Sequence, residues 1–169
     1  MRQNRILLMV DGANFFFLQR KQGWQIDPAK LRKYVEQWGN IIDAYYYLSV
    51  MADEKDDKQE GYRKALYFMG YSVKPVVVKQ INTMDGGIKE KANADIRIAL
   101  DAYMAVDTYD MFVLVSGDGD FAYLLDVLKM KGKQIKVISG AHMVARELIE
   151  LAGTNFVDFK DIREETEKE

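Results

Sequence analysis

The chain has no cysteine in its 169 residues, which excludes a disulfide framework, a thiolate zinc site and a cysteine nucleophile. It has one histidine, His142, and offers no serine or cysteine triad. His142 follows Gly140 at an expected helix start and is read as structural. No apolar run approaches the roughly 18 residues of a transmembrane helix. No secretory leader is expected either, since Arg2 and Arg5 lead into only the five apolar residues Ile6 to Val10. These absences fit a cytoplasmic protein with no membrane partner. A strong charge of one sign is also missing: 24 Lys and Arg face 26 Asp and Glu, a net charge of −2. That argues against a strongly basic nucleic-acid binder, while allowing a basic rim around an acidic centre. With 49% apolar and 30% charged residues, the chain reads as one globular domain long enough to bury a core.

Strand-like and helix-like runs alternate along the chain. Strands are expected at about Arg5 to Val10, Ile41 to Val50, Tyr71 to Val78, Met111 to Ser116 and Gln134 to Ser139, with a short one at Phe156–Val157. Asp27–Pro28 reads as an N-cap with proline at the first helical position, opening a helix to about Trp38. Further helices are expected through Phe68, from Asn93 to Val106, from Phe121 to Met130 and from Ala141 to Leu151. Pro75 suggests an edge position or a bulge. Lys79 to Lys89, with Asp85–Gly86–Gly87, reads as a flexible loop, and Asp53 to Gln59 as a charged, solvated surface. The pattern predicts a three-layer α/β fold with a mostly parallel central sheet of five or six strands. It forms one domain over residues 1–159, followed by a charged, frayed tail over 160–169.

Two of these strands end in acids. Ile6 to Val10 runs straight into Asp11–Gly12–Ala13–Asn14, and Met111 to Val115 into Ser116–Gly117–Asp118–Gly119–Asp120. Open α/β sheets bind ligands at the carboxyl ends of their strands, where the strand order reverses. Carboxylates gathered there repel one another unless a cation compensates, and Mg²⁺ or Mn²⁺ prefers such oxygen ligands. Bound there, such an ion could polarise a phosphoryl oxygen and supply a hydroxide nucleophile. Asp95 is the best fourth acid. It sits at the border of an expected apolar face made by Ile96, Ala99, Leu100 and Tyr103, with Arg97 and Asp101 pairing on the far side. Lys91, one turn earlier, could contact phosphate. Each residue also has a plainer reading. Asp118, Asp120 or Asn14 alone could be a helix cap, and Asp95 alone a solvated first-turn acid. Only the conjunction of Asp11, Asp118 and Asp120 lifts the functional reading above these.

Three blocks resemble the NYN domain family, a LabA-like branch of the PIN-like nuclease superfamily: Val10–Asn14, Lys91–Asp95 continuing into Ile98–Asp101, and Val115–Phe121. The resemblance runs from about Arg5 to Phe159. It implies a Rossmann-like PIN fold and a Mg²⁺- or Mn²⁺-dependent ribonuclease site acting on RNA. By matched position, Asp11, Asp95, Asp118 and Asp120 would be catalytic metal ligands. Asn14 and Ser116 would position the phosphate, the water or the acids. The match departs at Lys91, which is separated from Asp95 by three residues where two are expected. Two other readings stay open: a weakly catalytic RNA-binding or regulatory module, and a small-molecule phosphohydrolase. A Rossmann dinucleotide site is disfavoured, because Asp11 to Asn14 lacks the necessary glycine spacing. A homo-oligomer or protein partner could use the tyrosine-rich second strand and the Pro75 edge.

Overall fold

The computed structural model describes residues 3–51, 57–91 and 93–169, so Asp53 to Asp56 of the charged run lie outside the described residues. Its strands are β1 (Arg5–Asp11), β2 (Asn40–Met51), β3 (Ser72–Asn82), β4 (Ile88–Lys91), β5 (Met111–Val115), β6 (Gln134–Ser139) and β7 (Phe156–Asp158). The helices are α1 (Gly12–Gln22), α2 (Pro28–Val35), α3 (Asp57–Phe68), α4 (Ala94–Met104), α5 (Ala122–Met130), α6 (Arg146–Ala152) and α7 (Arg163–Thr166). The sheet order is β4-β3-β2-β1-β5-β6-β7, with six parallel strands and a short antiparallel β4 at one edge.

The central strands are apolar because both their faces are covered. Ile6, Leu8 and Val10 of β1 pack with Phe15 and Leu18 of α1, Leu31 of α2 and Leu66 of α3. Leu7 and Met9 pack on the other face with Ile98 of α4, Leu125 of α5 and Leu148 of α6. A strand buried on both faces reads as an unbroken apolar run, which is why β1 and β5 stand out in the sequence. From β1 the chain builds outward through β2 and β3, then returns to place β5 on the other side of β1. The order therefore reverses between β1 and β5.

Four local expectations need correction. The segment expected as a loop over Lys79 to Lys89 instead extends β3 to Asn82 and turns back as β4, with the turn closed by Thr83 N–H to Gly87 O (2.8 Å) and Gly86 N–H to Thr83 O (3.0 Å). The last major helix begins at Arg146, not Ala141. Before it, a turn is held by Met143 and Val144 N–H donating to Gly140 O. On α4 the buried stripe is Ala94, Ile98 and Ala102, whereas Ile96, Leu100 and Tyr103 are exposed. The helix thus lays its small residues on the sheet and turns the larger apolar ones outward. Consistent with that rotation, Asp101 accepts from Tyr47 Oη (2.7 Å), and Arg97 donates to Pro75 O (2.8 Å) instead of to Asp101. Pro75 does lie where β4 does not reach, since β4 pairs only with Lys79 to Asn82. The tyrosine-rich β2 is flanked by β1 and β3 and has no free edge for a second copy.

The fourth correction concerns the tail, which docks instead of fraying. Phe159 and Ile162 belong to the core, and Thr166 is fully buried. Asp27 N–H donates to Thr166 O (2.8 Å), and Lys168 N–H to Gln25 O (2.9 Å). Lys30 Nζ donates to Glu167 O (3.0 Å). Removing residues 163–169 deletes these bonds and opens the underside of α2. At roughly 1 kcal/mol per bond and 2–4 °C per kcal/mol, the expected fall in melting temperature is about 6–12 °C. An unchanged melting curve would mean that the tail is loose in solution.

Candidate functional site

The parallel register sets Val10 beside Val115, so Asp11 and Ser116 leave the sheet together at the switch point. Asp11 continues the alternation of Leu7 and Met9 and is only 7% exposed. It ends β1 and caps α1, accepting from Asn14 N–H (3.3 Å). Its other carboxylate oxygen accepts from the Ser116 hydroxyl (2.9 Å). That same hydroxyl oxygen accepts from Asp118 N–H (3.2 Å), while Asn14 Oδ1 accepts from Gly117 N–H (3.0 Å). Asp118 then caps the short turn Gly119–Phe121 by accepting from Asp120 N–H (3.0 Å). Capping and clustering therefore coexist at Asp11 and Asp118, whereas Asn14 and Asp120 supply the capped N–H groups instead of acting as caps.

Asp11, Asp95, Asp118 and Asp120 line one cleft of about 350 Å³, together with Asn14, Asn93 and Phe17. Asp95 reaches it from the first turn of α4. Lys91 ends β4, and its side chain lies outside the described residues. Burial pushes the Asp11 carboxyl above the usual carboxylate range. The Asn14 N–H and Ser116 hydroxyl pull it back, and the charges of Asp118 and Asp95 push it further up. This mutual repulsion marks a site electrostatically suited to a cation. The donor set fits a hard divalent ion in kind, being made of carboxylate oxygens. Among the described residues, however, no three acids converge into a ready-made metal cluster. The fit thus rests on donor chemistry and shared location.

Gly117 is required by close approach, because a Cβ there would stand 2.7 Å from Ser139 Oγ and 3.0 Å from Met143 O. Asn93 and Phe17 had no signal in the sequence that marked them as cleft residues. Glu147 is a further acid near the Gly119 turn, although it does not line the cleft. Its carboxylate comes within 3.8 Å of where a Cβ on Gly119 would sit, a neighbour that depends on how α6 docks beside the turn. His142 is exposed and does not line the cleft. Among the described residues, no helix is long and apolar enough to cross a membrane.

Comparison with known proteins bears on the family and the fold. The NYN domain model matches residues 5–160. The chain is 37% identical over 171 aligned positions to the low amplitude and bright protein LabA of Synechococcus elongatus, covering 99% of this chain and 90% of that protein. A crystal structure of a protein of unknown function from Vibrio parahaemolyticus superposes with a TM-score of 0.81 at 25% identity, covering 99% of this chain and 98% of that one.

Proposed function

Since the chain belongs to the NYN domain family, a PIN-like nuclease family, we propose that it is a metal-dependent ribonuclease hydrolysing phosphodiester bonds in the cleft at the β1–β5 switch point. The observation that carries the reading is the gathering of Asp11, Asp95, Asp118 and Asp120 around one cleft from three separate parts of the chain. These four would hold Mg²⁺ or Mn²⁺. Such an ion supplies Lewis-acid activation of the phosphate and of the attacking water.

The protein's own contribution is placement. Ser116 is committed on both sides, to Asp11 and to the Asp118 backbone, and therefore positions the acids instead of touching RNA. Asn14 has its oxygen taken by Gly117, leaving its amide nitrogen to donate to a phosphate oxygen. Positive charge in the cleft would offset the burial and repulsion that raise the Asp11 carboxyl, so metal and acid would support each other.

The deciding experiment incubates wild-type and Asp118→Asn protein with single-stranded and structured RNAs under Mg²⁺, Mn²⁺ or EDTA. Asparagine keeps the oxygen that caps Asp120 but loses the charge. Metal-dependent cleavage should fall by about 100-fold or more in the variant, by the standard of charge-stabilising groups at reaction centres. Two folded proteins that cut nothing under either metal would shift the reading to an RNA-binding module.

A further inference from the structure

A second hollow of about 1130 Å³ opens between α1, the C-terminal end of β2 and α3. It shares Ala13 and Phe17 with the acidic cleft, so the two lie side by side. Its volume lies above the roughly 300–1,000 Å³ common for a single small ligand, which suits an extended occupant.

The lining of the hollow identifies that occupant. Phe16 and Phe17, on the first turns of α1, are 55% and 59% exposed, and Tyr62 of α3 is 38% exposed. Phe16 meets Phe17 edge-on (5.9 Å between ring centroids) and Tyr62 packs edge-on against Tyr46 (6.0 Å) while donating to its hydroxyl (3.1 Å), so the open ring surface lies chiefly on Phe16 and Phe17. Arg20 lies over the Phe16 ring at 5.7 Å, and Lys168 stands on the same rim. Among the described lining residues the one acid is Asp27, whose carboxylate is occupied capping α2 through Ala29 N–H (2.7 Å). Open aromatic faces with cations beside them are the combination that holds unpaired bases while their phosphates run past. A duplex keeps its base faces stacked inside and cannot use such rings.

We propose that this hollow is the base channel for single-stranded RNA, with Phe17 stacking on the base next to the phosphate held in the acidic cleft. Phe16, Arg20 and Tyr62 line the path of the bases that follow. The proposal takes its ligand from the ribonuclease reading, yet it concerns binding and can be judged without cleavage.

The test is fluorescence anisotropy in EDTA, using a labelled single-stranded RNA of about 12 nucleotides and the matching duplex. The proteins are wild type, Phe16→Ala, Phe17→Ala and Phe17→Tyr. Both phenylalanines are surface residues, so the alanine variants should fold, which circular dichroism checks. Phe17→Ala should weaken single-strand binding by roughly 5- to 100-fold, the range for loss of one stacked base. Phe17→Tyr should restore it, and the duplex should bind more weakly than the single strand. Single-strand affinity unchanged in both alanine variants would overturn the channel. So would equal binding of the duplex, or a dimer in sedimentation that Phe17→Ala dissociates, since the hollow would then be a face between copies. The two readings can fail separately. Phe17-dependent binding without any metal-dependent cleavage keeps the channel and removes the ribonuclease. Cleavage with affinity insensitive to Phe17 does the reverse.

Discussion

Asp11→Asn is expected to abolish cleavage and to make the protein more stable. Asp11 is buried against Ser116 and the Asn14 backbone, with the charges of Asp118 and Asp95 close enough to oppose its ionisation. Its carboxyl therefore holds a proton more tightly when folded than when unfolded. The sign follows from linkage. Below the ordinary carboxylate range both states are protonated and the group costs nothing. As pH rises through that range the unfolded chain ionises first, and stability is lost up to the raised value. At neutral pH the folded protein carries a repelled, poorly solvated charge. Asparagine keeps the shape and an accepting oxygen but has no charge to desolvate. The melting temperature at pH 7 without metal should therefore rise. The gap should close as pH falls below the carboxylate range. Added Mg²⁺ should raise the melting temperature of wild type and not of the variant. Metal-dependent cleavage should drop by about 100-fold or more. A variant less stable than wild type at neutral pH would contradict this account of Asp11.

Gly12→Ala should be among the most damaging single substitutions in the chain. A Cβ at Gly12 would stand 2.3 Å from Tyr47 O and 2.8 Å from a Tyr46 ring carbon. Both neighbours lie on β2, paired beside β1, so neither can withdraw without disturbing the sheet. Overpacking of a tight core costs about 1–3 kcal/mol, and a backbone oxygen in the way puts this case at the upper end. The melting temperature should fall by about 6–12 °C. Gly61→Ala supplies the contrast. Gly61 lies inside α3 with nothing within 4 Å of an added Cβ, so alanine there should stabilise by roughly 0.5–1 kcal/mol. Opposite signs for one chemical change can be read from a pair of thermal melts. Equal effects at both positions would remove the steric argument for Gly12.

The parts of the fold legible in the sequence were those whose environment is imposed from both sides. β1 and β5 are buried on both faces, so their apolar runs were unbroken and the acids after them conspicuous. The gathering of Asp11, Asp118 and Asp120 followed from strand order, whereas Asp95 was singled out from a face of α4 that proves exposed and from the family resemblance, and it lines the cleft nonetheless. What stayed hidden depends on docking. The extension of β3 and its return as β4 carry Lys79, Gln80, Lys89 and Glu90, a polar pattern indistinguishable from a loop. On α4, two stripes competed. The larger one, through Ile96 and Leu100, lost to the alanine-bearing one through Ile98. The tail is held by bonds from Asp27 and Gln25 at the other end of the chain, which no local pattern could announce. Phe17 and Asn93 entered the cleft for the same reason.

The position of β1 in the sheet sets the order in which the protein can come into being. β1 leaves the ribosome before the other strands of this sheet, and its pairing with β2, and that of β2 with β3, can begin once residues 72–82 have emerged. Its other edge must wait for Met111 to Val115, about a hundred residues later, because loop closure of that length cannot be hurried. Until then the nascent chain presents an apolar strand with one open edge, the kind of template on which chains associate wrongly. Asp118 and Asp120 arrive only with the turn after β5, so no shorter chain carries the complete set of acids. Assembly of the sheet and assembly of the cleft are thus a single late event, governed by the second partner of the first strand.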